Sequence, residues 1–551
     1  MKRLFLTAIA VCTVAFGQVF GQGISTAFEL SDFQREGTAR SVAMGNAMTA
    51  LGGDMGAIAI NPAASAVFKF NEFSFTPAIT SVNTDTKYLG VNTSANRTTF
   101  GLANIGGVAV IPTGERSGVR SISFGFTYNK HNNFNAAIKA GADGVDDSYI
   151  WKLTGMANKS GLTGFNFDDT ANPDPFSHGS YFWPVVLGWN GSLLDTIQTK
   201  IKDVDVFYPT HLNGTEAIKE AKAMARKGYT KEQISKFINE ELNKINYTSS
   251  QLLSRKSYGS IGEYDLNFGM NISDQFYVGM NLGMFTVWNK VEEVYSEDNT
   301  TSYSDADGHF GYVDQYYNQR TTGAGINLKF GFIWAPSYNF RVGASVSTPT
   351  WYSLTDKYYW DTNVSFDDGY KASLHSPEGV YDYRVNTPFH YNLGFATVFK
   401  GGSISVDYEG SNVSQTRFRN RADVDHYDYS DFSYENNWMT DNFKMSNKLR
   451  IGAEVYPVQN VALRAGFQYA DNGIKKDVMN TAIKNYTGSF GVGMTFGGGF
   501  YLDLAVAASL KKSTVPFLDT ESAADYVLGD TKYATMDRSN VKVLATFGWR
   551  F

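Results

Sequence analysis

The feature that most constrains this chain is a two-residue alternation of apolar and polar side chains that recurs along most of its length. Residues 326–334 set Ile326, Leu328, Phe330, Phe332 and Trp334 against Asn327, Lys329 and Gly331. Residues 122–128 set Ile122, Phe124, Phe126 and Tyr128 against Ser123, Gly125 and Thr127. The same pattern runs through 278–288, 340–346, 389–399, 404–409, 449–455, 461–468 and 502–510. Period two is the signature of a strand with one apolar and one polar face. A soluble β-sandwich alternates as well, so the pattern alone does not settle the class. The polar face, however, carries charges in mid-strand (Arg341, Arg450, Glu454, Arg464 and Asp503), as the lining of a lumen would.

Connection lengths give the second constraint. About fourteen strands are expected, near 71–82, 97–112, 118–130, 258–272, 276–291, 317–335, 340–356, 380–399, 402–417, 443–456, 460–471, 484–496, 499–512 and 540–551. Every second connection is short: 112–118, 273–275, 335–339, 400–402, 457–460 and 497–499. The others, 83–96, 131–257, 292–316, 357–379, 418–442, 472–483 and 513–539, are longer and polar. Short turns on one side and long loops on the other, with an even strand number, describe a transmembrane β-barrel of the outer-membrane type. The last strand ends on Phe547, Trp549 and Phe551, and Trp549 and Phe551 resemble the terminal signal read by the barrel-assembly machinery.

The N-terminal part is different. Lys2 and Arg3 precede an apolar run, Leu4–Phe16, and a small residue ends Val19-Phe20-Gly21, so residues 1–21 are expected to be a cleaved signal peptide. The only cysteine, Cys12, lies in it, leaving the mature chain without a thiol or disulfide. Loss of Lys2 and Arg3 takes the 48 basic residues to 46 against 54 acidic, a net charge of −8, which argues against nucleic acid as a partner. After this segment no apolar run is long enough to cross a membrane as a helix. Residues 37–66 are built from Ala, Gly, Met and small polar residues and do not alternate. Within them Ala39, Val42, Ala43, Ala47, Ala50 and Leu51 share roughly one helical face, with Gly52-Gly53 as a stop and Asn61-Pro62 as a rigid turn. The expected organisation is residues 22–70 as a hatch inside the barrel and 71–551 as the wall.

The loop 131–257 is expected to carry two helices, 214–227 ended by Gly228, and a second opened by the capping box Thr230–Gln233 with Ile234, Phe237, Ile238, Leu242 and Ile245 on one face. They either fold over the barrel mouth or pack on each other. Of the histidines only His390 lies in an expected strand, facing the lumen, and no Ser-His-acid order or HExxH pattern occurs, so no catalytic residue is assigned and the chain is expected not to be an enzyme. Acidic clusters at 143–147 and 304–308 lack the full calcium-loop spacing, so no metal or other cofactor is expected.

The blocks Gly37-Thr38-Ala39-Arg40, Ala43-Met44-Gly45, Ala50–Asp54 and Asn61-Pro62-Ala63 resemble the N-terminal hatch of the FadL/OmpP1/TodX outer-membrane transport family in its Bacteroidetes-type form. The segment PSYNFRVGASVSTPTWYSL (336–354), residues 451–469 and residues 500–504 agree with it. The resemblance implies a 14-stranded barrel, a hatch blocking the lumen, and passive uptake of hydrophobic compounds such as long-chain fatty acids. Ligand would bind among the loops, pass to a site inside, and leave sideways into the bilayer through the wall. It marks Gly37, Arg40, Met44, Gly45, Asp54, Asn61 and Pro62 as hatch or gating residues. Lateral release needs an interrupted early strand, which Gly101, Gly106, Gly107 and Gly125 would permit. The expected partners are membrane lipid, a hydrophobic ligand, the barrel-assembly machinery and, in the alternative reading, an outer-membrane protein for which the chain is a docking subunit of a secretion or assembly complex.

Overall fold

In a computed structural model, which describes residues 24, 26–115, 117–160, 176, 183–198, 205–242, 247–301, 309–421, 432–475, 484–516 and 533–551, the alternating segments form one closed antiparallel barrel of fourteen strands. The segment expected to be a signal peptide, the acidic run 304–308, His178 and His426 lie outside the described residues. Strands one to six are Glu72–Tyr88, Val91–Pro112, Val119–Asn133, Ser249–Ile272, Phe276–Asn299 and Phe310–Trp334. Strands seven to nine are each in two pieces: Phe340–Ser347 with Trp351–Phe366, Gly379–Asn386 with His390–Phe399, and Gly402–Asn412 with Arg417–Arg419. Strands ten to fourteen are Met445–Val458, Val461–Asp471, Lys484–Thr495, Phe500–Pro516 and Tyr533–Arg550. The ring closes where strand fourteen pairs with strand one, from Glu72↔Arg550 to Lys87↔Thr535.

The period-two pattern sorts side chains as the sequence demands. Phe330, Phe332, Leu393, Phe395, Ile451, Val506 and Val543 face out and are exposed, while Asn281, Lys329, Asp407, Arg464 and Asp503 face in and are buried. Aromatic rings mark both rims of the outward band. Phe276–Trp334, Phe73–Trp549 and Phe500–Trp549 meet near the short turns, and Tyr391–Tyr408 and Tyr469–Tyr486 meet nearer the long connections. An apolar band between aromatic girdles is the exterior of a membrane barrel.

Several strands run past their expected ends. The expected loop 83–96 is strand on both sides of a two-residue turn at Leu89-Gly90, both with positive φ, the geometry a tight hairpin requires. Likewise strand five continues to Asn299, strand six starts at Phe310, and strand seven runs to Phe366 and pairs there with Lys371–His375. Inward, Tyr295, Val313 and Val364 pack under the insertion. The outward faces of these extensions carry Thr, Asn, Asp and Ser among scattered aromatics, so the apolar outer face that marks the membrane part of a strand is missing. Their ladder hydrogen bonds define them instead.

The insertion between strands three and four begins as a strand, Ala136–Val145, and contains helices Tyr149–Ser160, Trp183–Asn190, Glu216–Lys227 and Lys231–Leu242 and the hairpin Leu194–Gln198/Asp205–Pro209. Thr215 caps the third helix, Gly228 ends it in the left-handed region (φ 87°), and Thr230 and Gln233 exchange the two bonds of a capping box. The last two helices bury Ile218, Ala221, Ala225, Ile234 and Ile238 with Val206, Tyr208 and Trp151, so they pack within the insertion. A separate layer, Ile150, Leu153, Met156 and Val185, packs on Tyr88, Tyr295, Val313, Val364 and Met536 of the wall.

Candidate functional site

Residues 37–68 fold as short pieces rather than one helix. Thr38 caps a single turn, Ala39–Ala43, and the chain then leaves the helical region at Gly45 (φ +63°) and Asn46 (φ 59°). The helix expected to extend to Leu51 therefore stops at Ala43. The cause is close approach: a side chain at Gly45 would lie 2.9 Å from the Phe467 nitrogen and 3.1 Å from the Ile451 oxygen. Asp54 caps Met55–Ile58, accepting from the Gly56 N–H at 2.9 Å and from the Thr38 hydroxyl at 2.8 Å. Burial pushes its carboxyl above the ordinary range, partly offset by the Arg40 charge. Asn61 caps Pro62–Val67 with its Oδ1, while its Nδ2 donates to the Thr49 carbonyl (2.7 Å) and the Phe332 carbonyl (3.1 Å). Gly37 has φ +68° and packs against Ser41 and Gly56, and Met44 is fully buried.

The wall meets this segment from all round the ring. Ser489 donates to the Ala43 carbonyl, Arg341 to Leu51, Ser345 to Ile60, Asn281 to Ile58 and Asn267 to Pro62. Lys329 donates to the Ala59 carbonyl, and the Ala39 and Thr49 N–H groups donate to Thr546 and Asp407. A segment bonded at once to strands on opposite sides of a barrel lies in its lumen. Its backbone sits against a ring of wall glycines. A side chain built at Gly279 would come within 2.6 Å of the Ala63 nitrogen, at Gly343 within 2.8 Å of Ala50 Cα, at Gly394 within 3.0 Å of the Ala50 nitrogen, and at Gly466 within 2.5 Å of the Met44 carbonyl carbon. The glycines face one another in register, Gly279↔Gly331, Gly343↔Gly394 and Gly452↔Gly466.

The lumenal charges are grouped into separate networks. Arg40 of the segment and Arg464 of strand eleven share Glu454 (3.0 and 2.6 Å), and Arg464 also holds Asp503 at 2.6 Å. Arg450 belongs to a second network with Glu409, Arg35, Lys448 and Asp32. Arg341 joins neither and bonds the Leu51 carbonyl. Sequence reading passed over a third, in which Lys329 pairs with Glu263 and Asp265 and His131 lies 3.3 Å from Glu263. It also passed over Phe33, which stacks on His390 at 3.8 Å and meets His131 of the third network edge-on at 3.9 Å and Arg35 of the second at 5.0 Å. Lys329 and Glu263 stand on the polar faces of alternating strands, which was the available signal.

The wall parts between strands two and three. They pair only from Asn104↔Asn129 to Pro112↔Ser121, so residues 91–103 of strand two have no ladder on that side. Both strands are irregular at the fork. Strand one's register against strand two shifts at Pro77, leaving Ala103 as a bulge, and strand three shifts against strand four between Lys130 and Asn132. Bulges bend a strand and end its pairing. Beyond the fork Ala136–Val145 pairs with strand four alone and leans inward, where Ile138 and Ala140 pack on Tyr88 and the Lys139 carbonyl accepts from Thr86 and Thr93. Of the glycines expected to allow such a break, Gly101 lies at the fork, and Gly106, Gly107 and Gly125 lie in the paired part.

The lumen segment is tied to this fork. The Glu36 N–H donates to the Lys130 carbonyl at 2.9 Å, the Gln34 N–H donates to Asn132 Oδ1 at 3.1 Å, and Asn132 donates to the carbonyls of Glu29 and Asp32. The Glu36 carboxylate sits between Lys130 (3.4 Å, strand three) and Lys542 (2.9 Å, strand fourteen). Burial alone would raise its pKa, but the two ammonium groups outweigh that and hold it below the ordinary 4.5.

No known family's sequence pattern matches the chain, and no characterised protein matches it by sequence. Among solved structures it is similar to FadL-type channels. These include the Pseudomonas putida toluene transporter TodX (14% identity, 94% of this chain and 99% of that one, TM-score 0.47), the Ralstonia pickettii toluene transporter TbuX (14%, 94% and 99%, 0.44) and a Pseudomonas aeruginosa FadL homologue (11%, 94% and 99%, 0.47).

Proposed function

We propose that this chain is an outer-membrane channel for passive uptake of hydrophobic compounds, not an enzyme, and that cargo leaves through the fork between strands two and three. The observation that carries the reading is the missing ladder along residues 97–103, the part of strand two's unpaired edge where Phe100 and Leu102 face out. Backbone without a hydrogen-bond partner is not tolerated against lipid, but it is tolerated where it lines a passage. Residues 37–68 act as the hatch, and Lys130, Glu36 and Lys542 act as the latch between hatch and fork. Withdrawal of the hatch removes Glu36 from Lys130 and Lys542 and uncovers the fork from the lumen side. Long-chain fatty acids and small aromatic hydrocarbons are the cargo classes to test first, because both partition into the bilayer once released.

The test is a reversible clamp. Gly101→Cys and Lys130→Cys place thiols on either side of the fork, and a short bis-methanethiosulfonate joins them through two reducible mixed disulfides with loss of sulfinate. The unclamped double variant, which lacks the Lys130 half of the latch, is the baseline. Cells carrying the wild-type chain should take up a fluorescent long-chain fatty acid or toluene faster than cells without it. Clamping should stop that uptake and reduction should restore it. Uptake that persists through the clamp overturns lateral exit. No difference between cells with and without the chain overturns transport of these two cargoes.

A further inference from the structure

On the outward surface, just above the apolar band of strands five to nine, the wall carries basic residues where cross-strand pairing disfavours them. Arg384 of strand eight and Arg419 of strand nine are directly opposed. Their neighbours Val385 and Phe418, also opposed, are buried inward, so both arginines face out. One sector along, Lys290, Arg320 and Lys357 stand in one register across strands five, six and seven. Like charges directly opposite each other destabilise a sheet. Lys290 and Lys357 are answered by Glu292 and Glu378. Arg320, Arg384 and Arg419 form no ion pair with any described residue. The nearby Asp382 is engaged by Thr355 and Arg421. On the opposite side of the barrel at this level no two basic residues stand opposed on the outward face in the same way: Lys484 is in register with Asp471, which Lys444 holds at 3.2 Å, and Lys512 lies beside Asp537.

The height of the cluster identifies what meets it. On strand seven the outward run begins at Phe340 near the short turns, continues through Val342, Ala344 and Val346, and ends on Trp351. That stretch spans about 25–30 Å once a tilt is allowed for, the thickness of the apolar band of a membrane barrel. Trp351 is paired with Asn386, and Ser353 with Arg384, so the arginines lie just beyond the apolar rim, at headgroup level. A shallow groove joins Ile326, Trp351, Ser353, Arg384, Asn386 and Arg419. It has an apolar lower end, polar side groups in the middle and two guanidinium groups at the top. Guanidinium forks bind phosphate through two parallel hydrogen bonds.

We propose that this groove binds the phosphate-bearing headgroup of an outer-leaflet glycolipid. Arg384 and Arg419 hold the phosphate, Ser353 and Asn386 meet sugar hydroxyls, and an acyl chain lies along Trp351 and Ile326. The proposal rests on the membrane placement of the barrel and is independent of what the lumen carries. An uptake experiment that failed would leave it standing, and its own failure would leave the uptake reading standing.

The experiment is native mass spectrometry of the delipidated full chain in a mild detergent, titrated with an acylated, bis-phosphorylated glucosamine disaccharide. The wild type should bind the lipid and should not bind its dephosphorylated analogue. Arg384→Gln with Arg419→Gln should weaken binding by about a hundredfold, about tenfold for each guanidinium–phosphate pair removed. Lys484→Gln with Lys512→Gln should leave it unchanged. Heat-modifiable migration on gels reports folding of each variant, and the comparison of the two lipids on the wild type requires no variant. Equal binding of the two lipids, or undiminished binding in the arginine variant, overturns the proposal. Competition by millimolar inorganic phosphate as strong as by the lipid assigns the site to free phosphate and overturns it as well.

Discussion

Adding one methyl group to the glycine ring should dislodge the hatch. Gly343→Ala puts a Cβ where the nearest atoms are backbone of Thr49 and Ala50, with the Thr49 carbonyl carbon and Ala50 Cα at 2.7 and 2.8 Å, and backbone cannot rotate aside as a flexible side chain does. Two effects oppose each other. Replacing Gly by Ala inside a strand stabilises the wall by roughly 0.5–1 kcal/mol, because the unfolded chain loses freedom. Overpacking a fitted interface costs about 1–3 kcal/mol. The overpacking falls only on the docked hatch, so its docking should weaken by about 1–3 kcal/mol, roughly a fivefold to hundredfold rise in the undocked population. Gly488 of strand twelve supplies the control, since a Cβ there meets nothing within 4 Å. Gly488→Ala should keep the hatch docked and match or slightly exceed the wild type in thermal stability. The assay is limited trypsin digestion of the folded barrel in detergent, following cleavage at Arg35 and Arg40, which the docked hatch buries in ion pairs with Glu409 and Glu454. Gly343→Ala should be cut several-fold faster while its wall stays folded. Equal cleavage of Gly343→Ala and Gly488→Ala would refute the close-approach argument.

Three other outcomes follow from the same packing. Asn61→Ala removes a cap and two bonds to the Thr49 and Phe332 carbonyls and should loosen the hatch by about 1–3 kcal/mol, read as faster hydrogen exchange at Ala63 and Ala64. Glu454→Gln leaves Arg40 and Arg464 without their shared carboxylate and should cost about 3–5 kcal/mol in thermal or denaturant unfolding. Glu36 is held below its ordinary 4.5, so its contribution is fully present above that pH and is lost as pH falls through the lower folded value. An acid titration of hatch docking should therefore drop below about pH 4.5 in the wild type and be flatter in Glu36→Gln.

The wall was legible because membrane burial imposes period two and barrel closure imposes alternating connection lengths. Where strands rise above the bilayer that pressure ends, and 83–88 and 91–96 read as loop although they are ladder. The lumen segment was legible in composition but not in shape. Its alanines suggested one helix from Ala39 to Leu51, whereas close approach to the backbone of strands ten and eleven turns the chain at Gly45. Glu454, Arg464 and Asp503 share a polar face and lie in one ion-paired group. Arg341 and Arg450 share that face yet lie apart from the group, because the face of a strand says nothing about which carboxylate or carbonyl waits across the lumen. The fork escaped the glycine count because its cause lies at Pro77, Ala103 and Lys130, irregularities of register that become visible only when three strands are aligned at once.

The ring of wall glycines also bears on how such a molecule is made. Residues 37–68 sit against strands from the third to the last, with no room for a Cβ at several positions, and the glycines of the wall are separated by nearly two hundred residues of chain between Gly279 and Gly466. A stopper fitted this closely is poorly suited to being pushed into a finished cylinder from either end. The close fit therefore predicts that residues 37–68 enter the lumen while the sheet is still open. On that order, closure of the seam between strand one and strand fourteen would leave the barrel already filled.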